Sequence, residues 1–289
     1  MRILFLTTLF IVSLFAQKVL VINSNSSIQK YKSAQEFFTK SYNKPFELLD
    51  IANMPTKEIK EYLYDEYPDV VYAIGTKAYS YANMFIPEKT IFFSSIVNYK
   101  RLKMDENRYG VSNELHTGMN LTIIKSLFDK TKSLSIIYSD HTSDLFENFK
   151  LQASYIGIRV VGQKISKHKK LDKKILEQTD ALLLIADPVL IKDENTVIEL
   201  FEDMQKQKKP IFAYHELFIK LGASLVISVD NPTIGRQVAL MIENFKQKKE
   251  FKKIQIPVGT NVIFNKKLAD KLGIKYNKEA ISVVNKVIE

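Results

Sequence analysis

One pattern constrains this chain more than any other: short aliphatic or β-branched runs alternate with segments of helical period, and the alternation occurs twice. The first set predicts strands at 19–23, 46–51, 70–75 and 90–95, with helices at 27–42, 56–67 and 77–85 between them. The second predicts strands at 133–138, 159–164, 181–185, 210–214 and 225–229, with helices at 143–156, 171–178 and 194–206. Apolar strands separated by helices pair in parallel through crossover connections, so each set describes an open, doubly wound sheet. The expected fold class is α/β, with two Rossmann-like parallel-sheet lobes.

The strand ends test whether the second lobe repeats the first. Asn23-Ser24-Asn25 aligns with Tyr138-Ser139-Asp140, Gly75-Thr76 with Ala186-Asp187, and Ser94-Ser95 with Tyr214-His215, at offsets of about 110 to 120 residues. Small or polar residues follow an apolar strand in each case. Ligands of open α/β sheets bind outside the carboxyl ends of the strands, so two such lobes facing each other enclose a cleft with polar groups on both walls. Crossings between the lobes are expected at 110–113, 230–232 and 257–259, with an amphipathic helix at 234–246 returning to the first lobe. Pro232 suits the entry to that helix, where its missing N–H costs nothing. The lobes expected are therefore residues 17–112 plus 231–257 and residues 113–230 plus 258–289, joined by a three-crossover hinge that closes around a ligand.

The N-terminus begins Met1-Arg2 and continues as an apolar run from Ile3 to Ala16. That run is shorter than the roughly 18 residues that span a bilayer and has the layout of a cleaved secretory signal over residues 1–16. A cut after Ala16 would put Leu14 at the −3 position, where a small residue is usual; an uncleaved anchor is the alternative. The location expected is the periplasm. Cysteine is absent, which excludes disulfides, thiolate metal sites, a Cys nucleophile and a lipid-modified N-terminal Cys. The net charge of +10 raises nucleic-acid binding, but five of the 42 basic residues are Arg, and the lysines lie along helices with Asp and Glu between them, as at 164–174 and 246–253. Lysine is the usual filler of solvated helix faces, whereas Arg forks read phosphates and bases. No nucleic-acid partner is expected.

Several chemistries lack their residues. The turn after the first strand, Asn23-Ser24-Asn25-Ser26-Ser27, has no glycine with which to approach a dinucleotide, and Gly75-Thr76-Lys77 lacks a phosphate loop's glycine-rich lead. His116, His141, His168 and His215 stand too far apart for a helical metal pair, and no G-x-S-x-G elbow occurs. No catalytic residue, metal or cofactor is expected. Paired carboxylates among Asp140, Asp187, Glu216 and Asp230 leave acid/base chemistry formally open, while carboxylates at strand tips equally grip ammonium or hydroxyl groups.

The ligand-binding candidates are these tips. Ser24 and Asn25 precede a helix, where side-chain oxygens and free N–H groups hold a carboxylate or simply cap the helix. Gly75 and Thr76 offer the same geometry, with glycine admitting close backbone approach. Of Ser94 and Ser95, strand alternation turns one toward the cleft. In the second lobe Ser139, Asp140 and Asp187 would take an amino group or hydroxyls, or act as N-caps. Tyr138, Tyr214 and His215 supply aromatic walls or donors, with a core role equally open for Tyr138 and a structural one for His215. Asp230 binds ligand or caps the helix that follows.

Five pieces come in order along the chain: Ala73-Ile74-Gly75-Thr76, Gly110-Val111-Ser112-Asn113, Leu183-Leu184-Ile185-Ala186-Asp187, Gly235-Arg236-Gln237 and the run from Asn265 to Ile274. Together they resemble the ABC transporter substrate-binding family that includes tryptophan and tyrosine uptake receptors. The resemblance runs from about Lys18 to the C-terminus and implies a type I periplasmic-binding fold. It further implies a receptor that closes over a small polar ligand, an amino acid or related nitrogenous compound, and delivers it to an ABC permease in the inner membrane. A second reading uses the same cleft: a sensory protein that docks on a membrane histidine kinase or chemoreceptor. The chain departs from the family pattern at Asn98-Tyr99, where Asp-Pro is frequent, at Lys77, where Pro is frequent, and at Asp187-Pro188, where Asp-Asn is usual.

Overall fold

The computed structural model describes residues 17–166 and 171–289; the signal expected at 1–16 and His168 lie outside the described residues. Six strands form one sheet. They are β1 (Val19–Asn23), β2 (Glu47–Asp50), β3 (Val70–Ile74), β4 (Thr90–Ser94), β5 (Arg108–Val111) and, from far along the chain, a strand at Ile254–Gln255. The second sheet holds β6 (Ser133–Tyr138), β7 (Arg159–Lys164), β8 (Ala181–Leu183), β9 (Ile211–Ala213) and β10 (Leu225–Val229). The Ile254–Gln255 strand is β11, and β12 (Thr260–Asn265) and β13 (Lys286–Ile288) complete the second sheet.

The strand orders are β11-β5-β4-β3-β1-β2 and β13-β12-β10-β9-β8-β6-β7. The segment β4-β3-β1-β2 is thus repeated as β9-β8-β6-β7, which is the internal repeat that the strand ends announce. Pairing is parallel except between β10 and β12, which run antiparallel from Leu225 opposite Phe264 to Val229 opposite Thr260. Helices cover both faces of each sheet: α1 (Gln29–Ser41), α2 (Thr56–Glu66) and α3 (Thr76–Phe85) on the first, then α4 (Thr117–Leu127), α5 (Ser143–Tyr155), α6 (Lys174–Glu177), α7 (Glu194–Lys206) and α8 (Leu217–Leu221) on the second. This is why the central strands read as continuous apolar runs. Val19 and Val21 enter one core cluster and Leu20 and Ile22 the other, as the two-residue period of a strand requires.

The helix α9 (Asn231–Lys246) follows the second set yet packs on α1 of the first sheet. Gly235 permits this approach, because a Cβ there would lie 2.2 Å from the carbonyl oxygen of Ala34. Pro232 occupies its first turn and Asp230 caps it, accepting from the backbone N–H of Thr233 at 3.2 Å. A last helix, α10 (Lys266–Leu272), starts at Asn265, whose side chain accepts from Leu268 N–H.

Several segments differ from expectation. β5, β11, β12 and β13 are strands, and α8 and α10 helices, where the sequence pattern predicts none. Arg108 interrupts the apolar pattern of β5, but its guanidinium is buried and satisfied by Asn83 Oδ1 at 2.8 Å and by the carbonyls of Pro87 and Lys89. β12 carries Thr260, Asn261 and Asn265 among its apolar residues. The helix expected at 171–178 shrinks to the single turn α6.

The three crossings are tied to one another. Ser112 N–H donates to the Gln255 carbonyl at 2.9 Å, Asp230 N–H to the Gly259 carbonyl at 3.1 Å, and Gln237 Nε2 to the Ile256 carbonyl at 3.0 Å. Parallel sheets, strand tips facing inward and this laced triple connection define a two-lobed protein with a hinge beside its cleft.

Candidate functional site

A cavity of about 1030 Å³ lies between the two sheets and is lined from both. The first lobe contributes the start of α1 (Lys30, Tyr31) and the loop after β4 (Asn98 to Arg101). The second contributes the turn before α5 and its start (Asp140, His141, Asp144) and the tips of β8, β9 and β10, including Tyr214 and His215. The hinge itself forms the floor with Asn113, Glu114 and Asn231, joined by Asn120 from α4.

Three carboxamide oxygens in this lining, Oδ1 of Asn113, Asn120 and Asn231, are buried without a hydrogen-bond partner. A buried acceptor left unpaired costs about 1–3 kcal/mol, so three in one cavity call for a ligand that donates. Glu114 stands beside Asn113, and burial pushes its carboxyl above the usual carboxylate range, with Lys100 and the backbone N–H of Asn98 offsetting part of the rise. The site thus offers acceptors and a desolvated carboxyl at the hinge.

The wall at the outer ends of the strands is cationic and aromatic. Burial holds the Lys30 ammonium below its ordinary range and raises the Tyr31 phenol. Burial pushes the Tyr214 phenol up to about 12. His215 is lowered by burial and by the charge of Lys30 from the opposite lobe, with Glu216 working the other way. Its Nδ1 accepts the Leu217 backbone N–H at 3.2 Å, so the neutral ring carries its proton on Nε2. Asn98, in the left-handed region at φ 54°, donates from Nδ2 to the His141 carbonyl at 3.2 Å and bridges the lobes directly.

Of the ligand-binding candidates singled out from the sequence, Asp140, Tyr214 and His215 line this cavity, together with Glu216, His116 and His141, which the sequence reading weighed for acid/base or metal chemistry. Asp140 is exposed there and pairs with Lys164 at 2.5 Å. Most of the other candidates serve the scaffold around it, although the Ser95 hydroxyl is buried with no hydrogen-bond partner. Ser24 Oγ accepts from Ala78 N–H at 2.9 Å and so caps α3, while Asn25 Oδ1 accepts from Ser27 N–H and holds the loop before α1. Gly75, at φ 88°, meets the Tyr31 ring and Ser24 hydroxyl where a close ligand approach is expected, and Thr76 is an exposed first residue of α3. Ser94 bonds the Tyr72 hydroxyl at 2.7 Å inside the core; Ser95 is also buried and has φ 59°. Tyr138 stacks on Phe146 with centroids 4.1 Å apart.

Asp187 is the fullest case. It is wholly buried, and it accepts from Ser139 N–H at 2.8 Å, Ser139 Oγ at 2.7 Å, Thr142 Oγ1 at 2.5 Å, Val189 N–H at 2.8 Å and Leu190 N–H at 3.0 Å. Burial alone would raise its carboxyl, but these donors hold it below the usual range. Its bonds tie the β6 tip to the loop after β8 and leave no role for Ser139 or Asp187 in the lining. Asp230 is likewise engaged by Thr233 and Arg236.

The lining residues that sequence reasoning did not offer as ligand-binding candidates are the hinge and loop polars: Lys30, Tyr31, Glu114, Asn120 and Asn231, with Asn98 and Asn113 noted there only as a family departure and a crossing. Asn113 and Asn231 sit at the expected crossings, so the signal available was the joining of a crossover to a polar side chain. Among the described residues no group of three or more His, Asp or Glu is placed to hold a metal ion.

This geometry defines a protein of two lobes with a cavity between them at the hinge. The sequence profile of the family described as ABC transporter substrate binding protein matches residues 50–288, and the chain belongs to that family. The family is one of binding proteins, not enzymes. No curated protein sequence matches the chain. Among solved structures, an ABC domain in complex with L-Trp from Streptococcus pneumonia superposes with a TM-score of 0.64 at 19% identity, covering 94% of this chain and 99% of that one. A conserved domain protein from Vibrio cholerae gives 0.63 at 20% identity over 94% and 99%. A ligand-free, open substrate binding protein with adhesive properties from Clostridium difficile gives 0.73 at 14% identity over 95% and 99%. The shared architecture is the type I periplasmic-binding fold.

Proposed function

We propose that the protein is the periplasmic receptor of an ABC importer and that its cargo is an amino acid or a closely related zwitterionic nitrogen compound. The observation that carries this reading is the set of unpartnered acceptors at the hinge, Asn113, Asn120 and Asn231, next to the desolvated Glu114. An ammonium group donates in several directions at once and neutralises a carboxylate, so it fits that floor. Lys30 and the Nε2–H of His215 then face the opposite, carboxylate end, and Tyr31, Tyr99 and Tyr214 flank the body of the ligand. The complex of the Streptococcus relative with L-Trp agrees with this class.

Residues 17–112 plus 231–257 and residues 113–230 plus 258–289 act as the two moving lobes. Closure brings the Lys30 and His215 walls together over the ligand and presents a new surface to the membrane permease. Secretion would be directed by the segment 1–16.

Calorimetric titration of the chain from Gln17 onward tests the reading. The panel pairs each amino acid with the amine that lacks its carboxylate and the acid that lacks its ammonium. Saturable binding of an amino acid, with both truncated analogues weaker by about tenfold or more, is expected from charge-assisted bonds at each end. Binding of a sugar or an inorganic oxyanion with no response to any amino acid would overturn the assignment.

A further inference from the structure

Away from the cleft, at the β5–β11 edge of the first sheet, a second cavity of about 630 Å³ has an aromatic floor and a basic rim. Tyr109, Phe245 and Phe251 form the floor, with Tyr109 lying 5.6 Å from Phe245 and 5.5 Å from Phe251 between ring centroids. The rim is Lys248, Lys249, Lys252 and Lys253, with Glu250 the one acidic residue among them. Among the described residues no ion pair engages these four lysines.

The usual reason for lysines at a helix end is to cover its last carbonyls. Here that work is done by the backbone: the N–H groups of Gln247, Lys248 and Lys249 donate to the carbonyls of Glu243, Phe245 and Asn244. The ammonium groups of Lys248, Lys249 and Lys252 are not needed for that task, while Lys253 Nζ donates to the Glu106 carbonyl at 2.8 Å and lies over the Tyr109 ring, and Lys44 adds its charge beside Lys246 at the same helix end. The same helix end also holds the start of the described chain. Lys246 Nζ donates to the carbonyl of Gln17 at 2.9 Å and to the Tyr42 hydroxyl at 2.8 Å, so the residue that follows the apolar run 3–16 is pinned next to the basic rim.

We infer that this face docks on an anionic phospholipid surface, with the Lys248–Lys253 rim over lipid phosphates and the aromatic floor at the level of the headgroups. Clustered lysines beside a membrane-directed segment are attracted to anionic bilayers, and ring edges with apolar faces suit the interfacial layer. The inference does not depend on what the cleft binds.

Every strand and helix described lies between Gln17 and Glu289, so the test uses the chain from Gln17 onward, without the apolar run. It is sedimented with vesicles of phosphatidylcholine alone and of phosphatidylcholine with phosphatidylglycerol, at low and high salt. The expected result is binding to the anionic vesicles only, weakened by salt. Lys248→Gln, Lys249→Gln, Lys252→Gln and Lys253→Gln together should weaken it by about tenfold or more, given the strength of lysine attraction to such surfaces. A control variant, Lys206→Gln, Lys220→Gln, Lys267→Gln and Lys271→Gln, removes the same net charge from the other lobe and should bind nearly as wild type. Unchanged thermal unfolding of both variants verifies the fold. No binding to anionic vesicles, equal loss in both variants, or equal protection of the lysines from acylation by soluble glycerol phosphate would overturn the inference.

Discussion

Asn98 Nδ2 reaches across the cleft to the backbone carbonyl of His141 at 3.2 Å, joining the loop after β4 of one lobe to the start of α5 in the other. A single neutral hydrogen bond of this kind contributes about 0.5–1.5 kcal/mol, enough to bias a hinge without locking it. Asn98→Ala is therefore expected to broaden the distribution of lobe separations while leaving each lobe folded. The chain contains no cysteine, so spin labels on Cys introduced at exposed Lys57 and Lys150 report that distance by pulsed EPR. An unchanged distribution would assign the contact no part in setting the cleft.

Glu114 links stability and binding with opposite signs. Its folded pKa is raised, chiefly by burial, so its cost is absent below the unfolded carboxylate range near pH 4.3 and grows as pH rises through the folded pKa. Glu114→Gln should raise the thermal midpoint of the free protein at pH 7, with the gain vanishing near pH 4. The same variant should bind an ammonium-bearing ligand about tenfold or more weakly, through loss of a charge-assisted bond. Thermal scans at the two pH values and one titration check both halves.

Asp187 behaves in the reverse sense. Its folded pKa is depressed because hydrogen bonds from Ser139, Thr142 and the loop N–H groups outweigh burial. The stability it contributes is complete above about pH 4 and is lost as pH falls through the folded pKa. Asp187→Ala strands five donor contacts and should cost about 2–4 kcal/mol at neutral pH, with the difference from wild type narrowing at acid pH. Denaturant unfolding at pH 7 and pH 3 measures it.

Gly75 and Gly157 form a matched pair for backbone strain. Both have positive φ, but a Cβ at Gly157 meets nothing within 4 Å, whereas at Gly75 it would lie 2.7 Å from Ser24 Oγ and 2.9 Å from the Tyr31 ring. Gly157→Ala should cost about 1 kcal/mol. Gly75→Ala should cost about 1–3 kcal/mol and also push Tyr31 in the cavity wall, so it alone should weaken ligand binding.

The lobes and their repeat were legible because parallel strands covered on both faces write apolar runs, as Val19 to Ile22 and Val70 to Ile74 do. β5 was not, because its buried Arg108 finds its partners on other segments, at Asn83, Pro87 and Lys89, and no local pattern announces them. The candidate site divides the same way. Reasoning from strand tips pointed to the sheet ends that line the cavity and reached Asp140, Tyr214 and His215. It also gathered Ser24, Ser139, Asp187 and Asp230, whose oxygens are taken by neighbouring backbone N–H groups. A tip residue that caps a helix and one that faces a ligand have the same local sequence; which hydrogen bonds remain unmade is decided by tertiary contacts. Asn113, Asn120 and Asn231 converge from separate segments, and that convergence exists only in three dimensions.

The central claim is that the hinge cavity holds a small zwitterion, and thermal unfolding of the chain from Gln17 onward against amino acids, nucleobases, sugars and oxyanions tests it most directly. A ligand that binds only the folded state adds about 2.7 kcal/mol at a hundred times its dissociation constant, roughly a 5 °C rise for a chain of this size. The account predicts such a rise with one or more amino acids, and its loss in a variant carrying Asn120→Ala and Glu114→Gln. A rise confined to sugars or oxyanions, or one that persists undiminished in that variant, would contradict it.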